Sequence, residues 1–154
     1  MNRKVELSEE NYDLLDEVIH QLCEQGRLLE EQNAMQHGST SVYEHSVNVA
    51  YKSLLLVENY RLPVDKQSLV RGALLHDYFL YDWHEKDGGH RLHGFRHPAF
   101  ALYNASKDFS LNRKERNIIA RHMFPLTVLP PRCLEAWIVC FVDKYCAFSE
   151  TMGD

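Results

Sequence analysis

The chain has 154 residues, 45% hydrophobic and 25% charged, with 17 basic against 22 acidic side chains and a net charge of −5. This is the composition of an ordinary soluble domain with a real core. The acidic balance argues against a general nucleic-acid or anionic-membrane binder. It leaves room for a small phosphorylated ligand, because a metal site supplies positive charge locally.

Residues Met1 to Glu6 lack the apolar stretch of a signal peptide, and the longest apolar run, Trp137 to Val142, is too short to span a bilayer. Cys23, Cys133, Cys140 and Cys146 form no Cys-x-x-Cys pair, so reduced thiols in a cytoplasmic protein are expected.

Ser8 is a good helix cap, and Leu14, Leu15, Val18, Ile19 and Leu22 follow at helical spacing, predicting a helix over 8–25. A short second helix is predicted over 27–36. The Gly38-Ser39-Thr40-Ser41 break ends in a cap for a helix reaching about Tyr60, with Pro63 just beyond. His45 shares a face with Val42 and Val49 and therefore points inward. The next helix starts at Asp65 or Ser68 and carries Leu74-Leu75-His76-Asp77 before the aromatic run Tyr78 to Trp83.

A Gly-rich polar loop follows over 86–91. His97-Pro98 then reads as the opening of a helix, since proline's missing N–H costs nothing in the first turn. Ser110 reads as the cap of a helix through Ile118, Ile119 and His122. The last helix, Leu134 to about Ser149, is apolar on nearly every side and is expected to be central and buried, with Asp143 inside it. No run alternates long enough to demand a sheet. The expectation is an all-α single domain, 1–154, of about six or seven helices. Its ligand-bearing core covers about 36–150, and the N-terminal helices of 8–36 pack on it.

Seven of the nine histidines lie between His37 and His97. A carboxylate in an apolar helix, such as Asp77 or Asp143, is costly to bury unless paired, and a metal ion satisfies it together with neighbouring imidazoles. The gaps are 31 residues from His45 to His76, 20 from Asp77 to His97, 25 from His97 to His122 and 21 from His122 to Asp143. Each is about one helix plus a connection, so each helix can deliver one ligand to a common centre. Four imidazoles and two carboxylates are a fair set for two borderline metals, and the expectation is one or two divalent ions, Fe, Mn or Zn, with Mg as a further candidate. Asp77 is the natural bridge between them.

The order His, His-Asp, His, His, Asp on a helical chain resembles the HD-domain superfamily of metal-dependent phosphohydrolases. The resemblance rests on His45 in Ser41-Val42-Tyr43-Glu44-His45-Ser46, the dyad His76-Asp77, His97-Pro98, His122, and Asp143 in Cys140-Phe141-Val142-Asp143-Lys144. It implies one metal on His45, His76, Asp77 and Asp143, and a second on Asp77, His97 and His122. It also implies an activated water that attacks phosphorus. The chain departs from subfamilies that cleave cyclic dinucleotides, because Tyr78-Phe79-Leu80 follows the dyad and no Gly-Tyr-Pro occurs. Leu80 also stands where nucleotidase-like members place a Glu.

Beyond the metal set, Asp77, Lys144 and Asp82 are the catalytic candidates, with Asp82 or His84 as proton donor. His37, Lys144 and His93 are the substrate-binding candidates. His93 also competes with His97 as a ligand. Arg96 and Arg121 neighbour proposed ligands and are weaker anion-binding candidates. The function expected is hydrolysis of a phosphomonoester or phosphodiester, such as a nucleotide. The alternatives are a di-iron HD-fold oxygenase on the same ligands, or a non-catalytic, metal-stabilised sensor or interaction module.

Overall fold

The computed structural model describes residues 3–33, 35–37, 40–78 and 90–152, with side chains for all of these except 33, 35–37 and 90–96. Asp82 and His84, and the side chains of His37, His93 and Arg96, lie outside the described residues. The expected all-α class holds. Among the described residues six α-helices run in the order α1 (Glu9–Gln25), α2 (Val42–Tyr60), α3 (Lys66–Leu75), α4 (His90–Asp108), α5 (Arg113–Arg121) and α6 (Leu134–Met152).

Local chemistry sets most of the ends. The hydroxyls of Ser8 and Ser41 and the carboxylate of Asp65 accept backbone N–H groups at the starts of α1, α2 and α3. Arg61, at φ 52°, ends α2 in the left-handed conformation. Asn112, not Ser110, caps α5: its side chain accepts the Glu115 N–H while the Glu115 carboxylate accepts the Asn112 N–H. The reciprocal pair satisfies two donors that a lone serine would not.

Four further expectations change. The helix expected over 27–36 is a 3-10 helix, Leu28–Asn33, followed by a two-stranded hairpin, β1 (Met35–His37) with β2 (Thr40–Ser41). The hairpin is too short for any alternation of apolar and polar residues to announce it. α3 stops at Leu75, so the dyad sits in the turn just past the helix. Pro98 lies within α4, eight residues after its start; there its missing N–H leaves the Gly94 carbonyl without its usual helical donor. Finally, α6 buries one face and exposes the other, on which Phe141 is 67% accessible. A helix apolar all round does not say which side faces in.

α2 packs on α3 and α6, and α5 packs on α3, α4 and α6. Gly72 lets α3 and α5 approach closely: a Cβ there would lie 2.4 Å from Ile118 Cδ1 and 2.9 Å from Ile118 Cβ. Tyr78 anchors the chain after the dyad. Its ring is buried edge-on against Phe109, and its hydroxyl accepts the Arg27 N–H (2.7 Å) and donates to Asp108 (2.6 Å). The core thus draws helices α2, α3, α5 and α6 together at the level of the dyad. All four cysteines are free thiols, and no helix among the described residues is long and apolar enough to cross a membrane.

Candidate metal centre

The six residues expected as ligands converge. His45 and Asp143 come from the interiors of α2 and α6, and His97 comes from α4. His76 and His122 stand immediately after α3 and α5. His45, His76, Asp77 and Asp143 each bring one potential ligand atom within 4.8 Å of the others, and so do Asp77, His97 and His122.

Asp77 belongs to both groups and divides its oxygens between them. Its Oδ2 lies 3.1 Å from His76 Nε2 and 3.7 Å from His45 Nε2. Its Oδ1 lies 3.3 Å from His122 Nε2 and is hydrogen-bonded to His97 Nε2. Asp143 Oδ1 closes the first group, 2.7 Å from His45 Nε2 and 3.2 Å from His76 Nε2.

The far nitrogens are held from behind. Nδ1–H of His76 donates to the Ala73 carbonyl (2.6 Å), and Nδ1–H of His122 donates to the Ile119 carbonyl (2.8 Å). In both cases the acceptor is three residues back, at the end of the histidine's own helix. Nδ1–H of His45 donates to Glu150, at 2.9 and 3.0 Å from its two oxygens. Each bond orients a ring with Nε2 toward the centre, which is how ligating histidines are usually held.

Glu150 escaped the sequence reading. Its signal was present, since it lies seven residues after Asp143 on α6, two turns along the same face.

Charges in the cluster balance one another. Burial pulls the His45 imidazolium down, but hydrogen bonds to Asp143 and Glu150 overcome it and raise it to about 9. Burial opposes protonation of His76 as well, and the charges of Asp77 and Asp143 carry it upward. Asp77 and Asp143 are held low by the imidazoles despite their burial. Burial and the charges of His76 and His97 lower His122, against the hydrogen bond to Asp77. Among the six, Asp143 and His97 keep the most exposure, 8% and 6%.

Two further side chains sit close by. The Lys144 ammonium donates to the backbone carbonyls of His122 (3.0 Å) and Cys140 (3.3 Å), so it sits on the backbone behind His122 and not on the ligand atoms. Arg121 likewise donates to the Pro130 carbonyl. Glu31, in the 3-10 helix, is fully buried with both carboxyl oxygens lacking a hydrogen-bond partner. Burial, reinforced by the charge of Asp77, raises its pKa well above the ordinary carboxylate range. Nothing in the Leu-Leu-Glu-Glu stretch distinguishes the buried Glu31 from the surface-type Glu30.

A family model for the HD domain matches residues 42–147. No curated protein and no solved structure is significantly similar to the chain. The match spans well over half of the 154 residues, and the His, His-Asp, His, His, Asp order it covers is the set gathered at the centre. The chain belongs to the HD domain family, a superfamily mostly of metal-dependent, phosphohydrolase-type enzymes.

Proposed function

We propose that the chain hydrolyses a phosphoric ester, with two divalent transition metals held by the six residues. The observation that carries this reading is the division of Asp77. One oxygen faces His45 and His76 and the other faces His97 and His122, as a carboxylate bridging two ions requires.

The donor set fits such ions. Imidazoles and carboxylates suit Fe, Mn and Zn, and the Nδ1 atoms of His45, His76 and His122 are already engaged, which leaves their Nε2 atoms for the ions. The first ion would be held by His45, His76, Asp77 and Asp143, the second by Asp77, His97 and His122. Bound metals would supply a water of lowered pKa and positive charge for the phosphoryl oxygens.

The protein's own residues do the rest. Asp77 fixes the spacing of the two ligand groups. Glu150, Ala73 and Ile119 hold the imidazoles in one tautomer, and the burial of the set limits the access of bulk water. Lys144 braces the backbone carbonyl of His122, so we assign it a positioning role. Asp82 remains our candidate for the proton donor to the leaving group, and His37 and His93 for phosphate contacts.

The test combines metal analysis with turnover. Protein loaded with Mn or Fe is expected to bind two ions and to hydrolyse members of a panel of phosphomonoesters and phosphodiesters. No turnover on any ester, together with a mixed-valence iron EPR signal that responds to oxygen, would replace hydrolysis with oxygenase chemistry on the same ligands.

A further inference from the structure

The outward face of α6 has no role in the centre and is unusual in its chemistry. Leu134, Trp137, Phe141, Tyr145, Phe148 and Met152 are all exposed, between 39% and 70%. They follow at intervals of three, four, four, three and four residues. That is one continuous stripe on a 19-residue helix, about 28 Å long at ~1.5 Å per residue. The only charge exposed along the helix is Lys144, and its ammonium is turned away onto the carbonyls of His122 and Cys140. An uninterrupted apolar patch of this kind marks an interaction surface.

We infer that this face is the interface of a two-fold homodimer, in which α6 pairs antiparallel with α6 of a second copy. The stripe is nearly the same read in either direction. Reversed about its midpoint, between Phe141 and Tyr145, Leu134 falls opposite Met152, Trp137 opposite Phe148, and Phe141 opposite Tyr145. Every position meets an apolar counterpart, as a self-complementary two-fold contact demands, and the three-four spacing is that of a helix seam.

The size is also adequate. Six half-exposed large side chains contribute roughly 100 Å² each, from the ~150–250 Å² of an aromatic residue. The pair would bury about 1,200 Å² in total, at the lower bound of specific interfaces. Beside the stripe, a groove of about 350 Å³ between α2 and α6 is lined by Leu55, Leu56, Tyr60, Phe141 and Tyr145, among others. It offers the second helix a recess for a ring.

Sedimentation of the full chain tests the inference. A dimer of twice 18.0 kDa is expected. Phe141→Glu should dissociate it, and Phe141→Glu with Tyr145→Glu should remain monomeric. Phe141→Glu with Tyr145→Lys sets opposite charges across the proposed register and should restore the dimer. Both positions are exposed, so circular dichroism and metal content should stay unchanged in all three variants. A monomeric wild type, a monomer that floats with lipid vesicles, open-ended association, or a charge-swapped variant no more dimeric than the like-charged one would each overturn the proposal.

Discussion

Glu150 accepts the Nδ1–H of His45 with both carboxylate oxygens, at 2.9 and 3.0 Å, from two turns beyond Asp143 on the same helix. One helix therefore supplies one proposed ligand and also orients a second, His45 on α2. Partners of this type are worth about 10–100-fold in metal affinity when removed. Glu150→Ala is expected to weaken metal binding by that order in chelator competition, while Glu150→Gln, which still offers an acceptor oxygen, loses less. Equal affinity in wild type and Glu150→Ala would mean that the contact does not orient the ligand.

Metal binding is expected to release protons. His45, raised to about 9, and His76, also raised, hold protons at neutral pH that an ion must displace. Affinity should therefore climb as pH rises toward 9. The metal-free protein should behave oppositely. A raised His contributes stability that is fully present below its unfolded pKa of ~6.5 and is lost as pH rises through its folded value. Calorimetry in buffers of different ionisation enthalpy and melting of the metal-free protein from pH 6 to 9.5 check the two signs.

Gly72→Ala is expected to destabilise the protein by about 1–3 kcal/mol, the usual range for overpacking. The new Cβ would press on Ile118 at 2.4 and 2.9 Å, and that clash outweighs alanine's helix preference of about 1 kcal/mol. Because α3 and α5 end at His76 and His122, weakened metal binding should accompany the lower melting temperature.

Glu31→Met is expected to act in the other direction. The Glu31 carboxyl is fully buried with neither oxygen hydrogen-bonded. An apolar side chain of similar volume removes a desolvation penalty of about 1–3 kcal/mol. Thermal unfolding near neutral pH should show a higher melting temperature, and an unchanged or lower one would show that the carboxyl is stabilised in place.

Much of the centre was legible from the chain. His45 declared its inward face through Val42 and Val49, and His76-Asp77 stood in an apolar run. Regular gaps assigned one ligand to each successive helix. The remainder depended on distances that no spacing encodes. The spacing of seven from Asp143 puts Glu150 on the inward face of α6, but only the 2.9 Å contact identifies His45 as its partner. Pro98 looked like a helix start because proline is most at ease there, yet α4 begins at His90. The orientation of α6 was hidden for the opposite reason: both faces are apolar, and packing against α2 and α5 decided which one is buried.

The proposed bridging of two ions by Asp77 is tested most directly by the metal stoichiometry of Asp77→Asn. The asparagine keeps the size of the side chain but cannot offer two anionic oxygens. Elemental analysis of wild type reloaded with Mn or Fe should give two ions per chain. The variant should lose both ions, or retain at most one weakly held ion, and lose ester hydrolysis with them. Two tightly held ions in Asp77→Asn, or hydrolysis at the wild-type rate, would contradict the assignment.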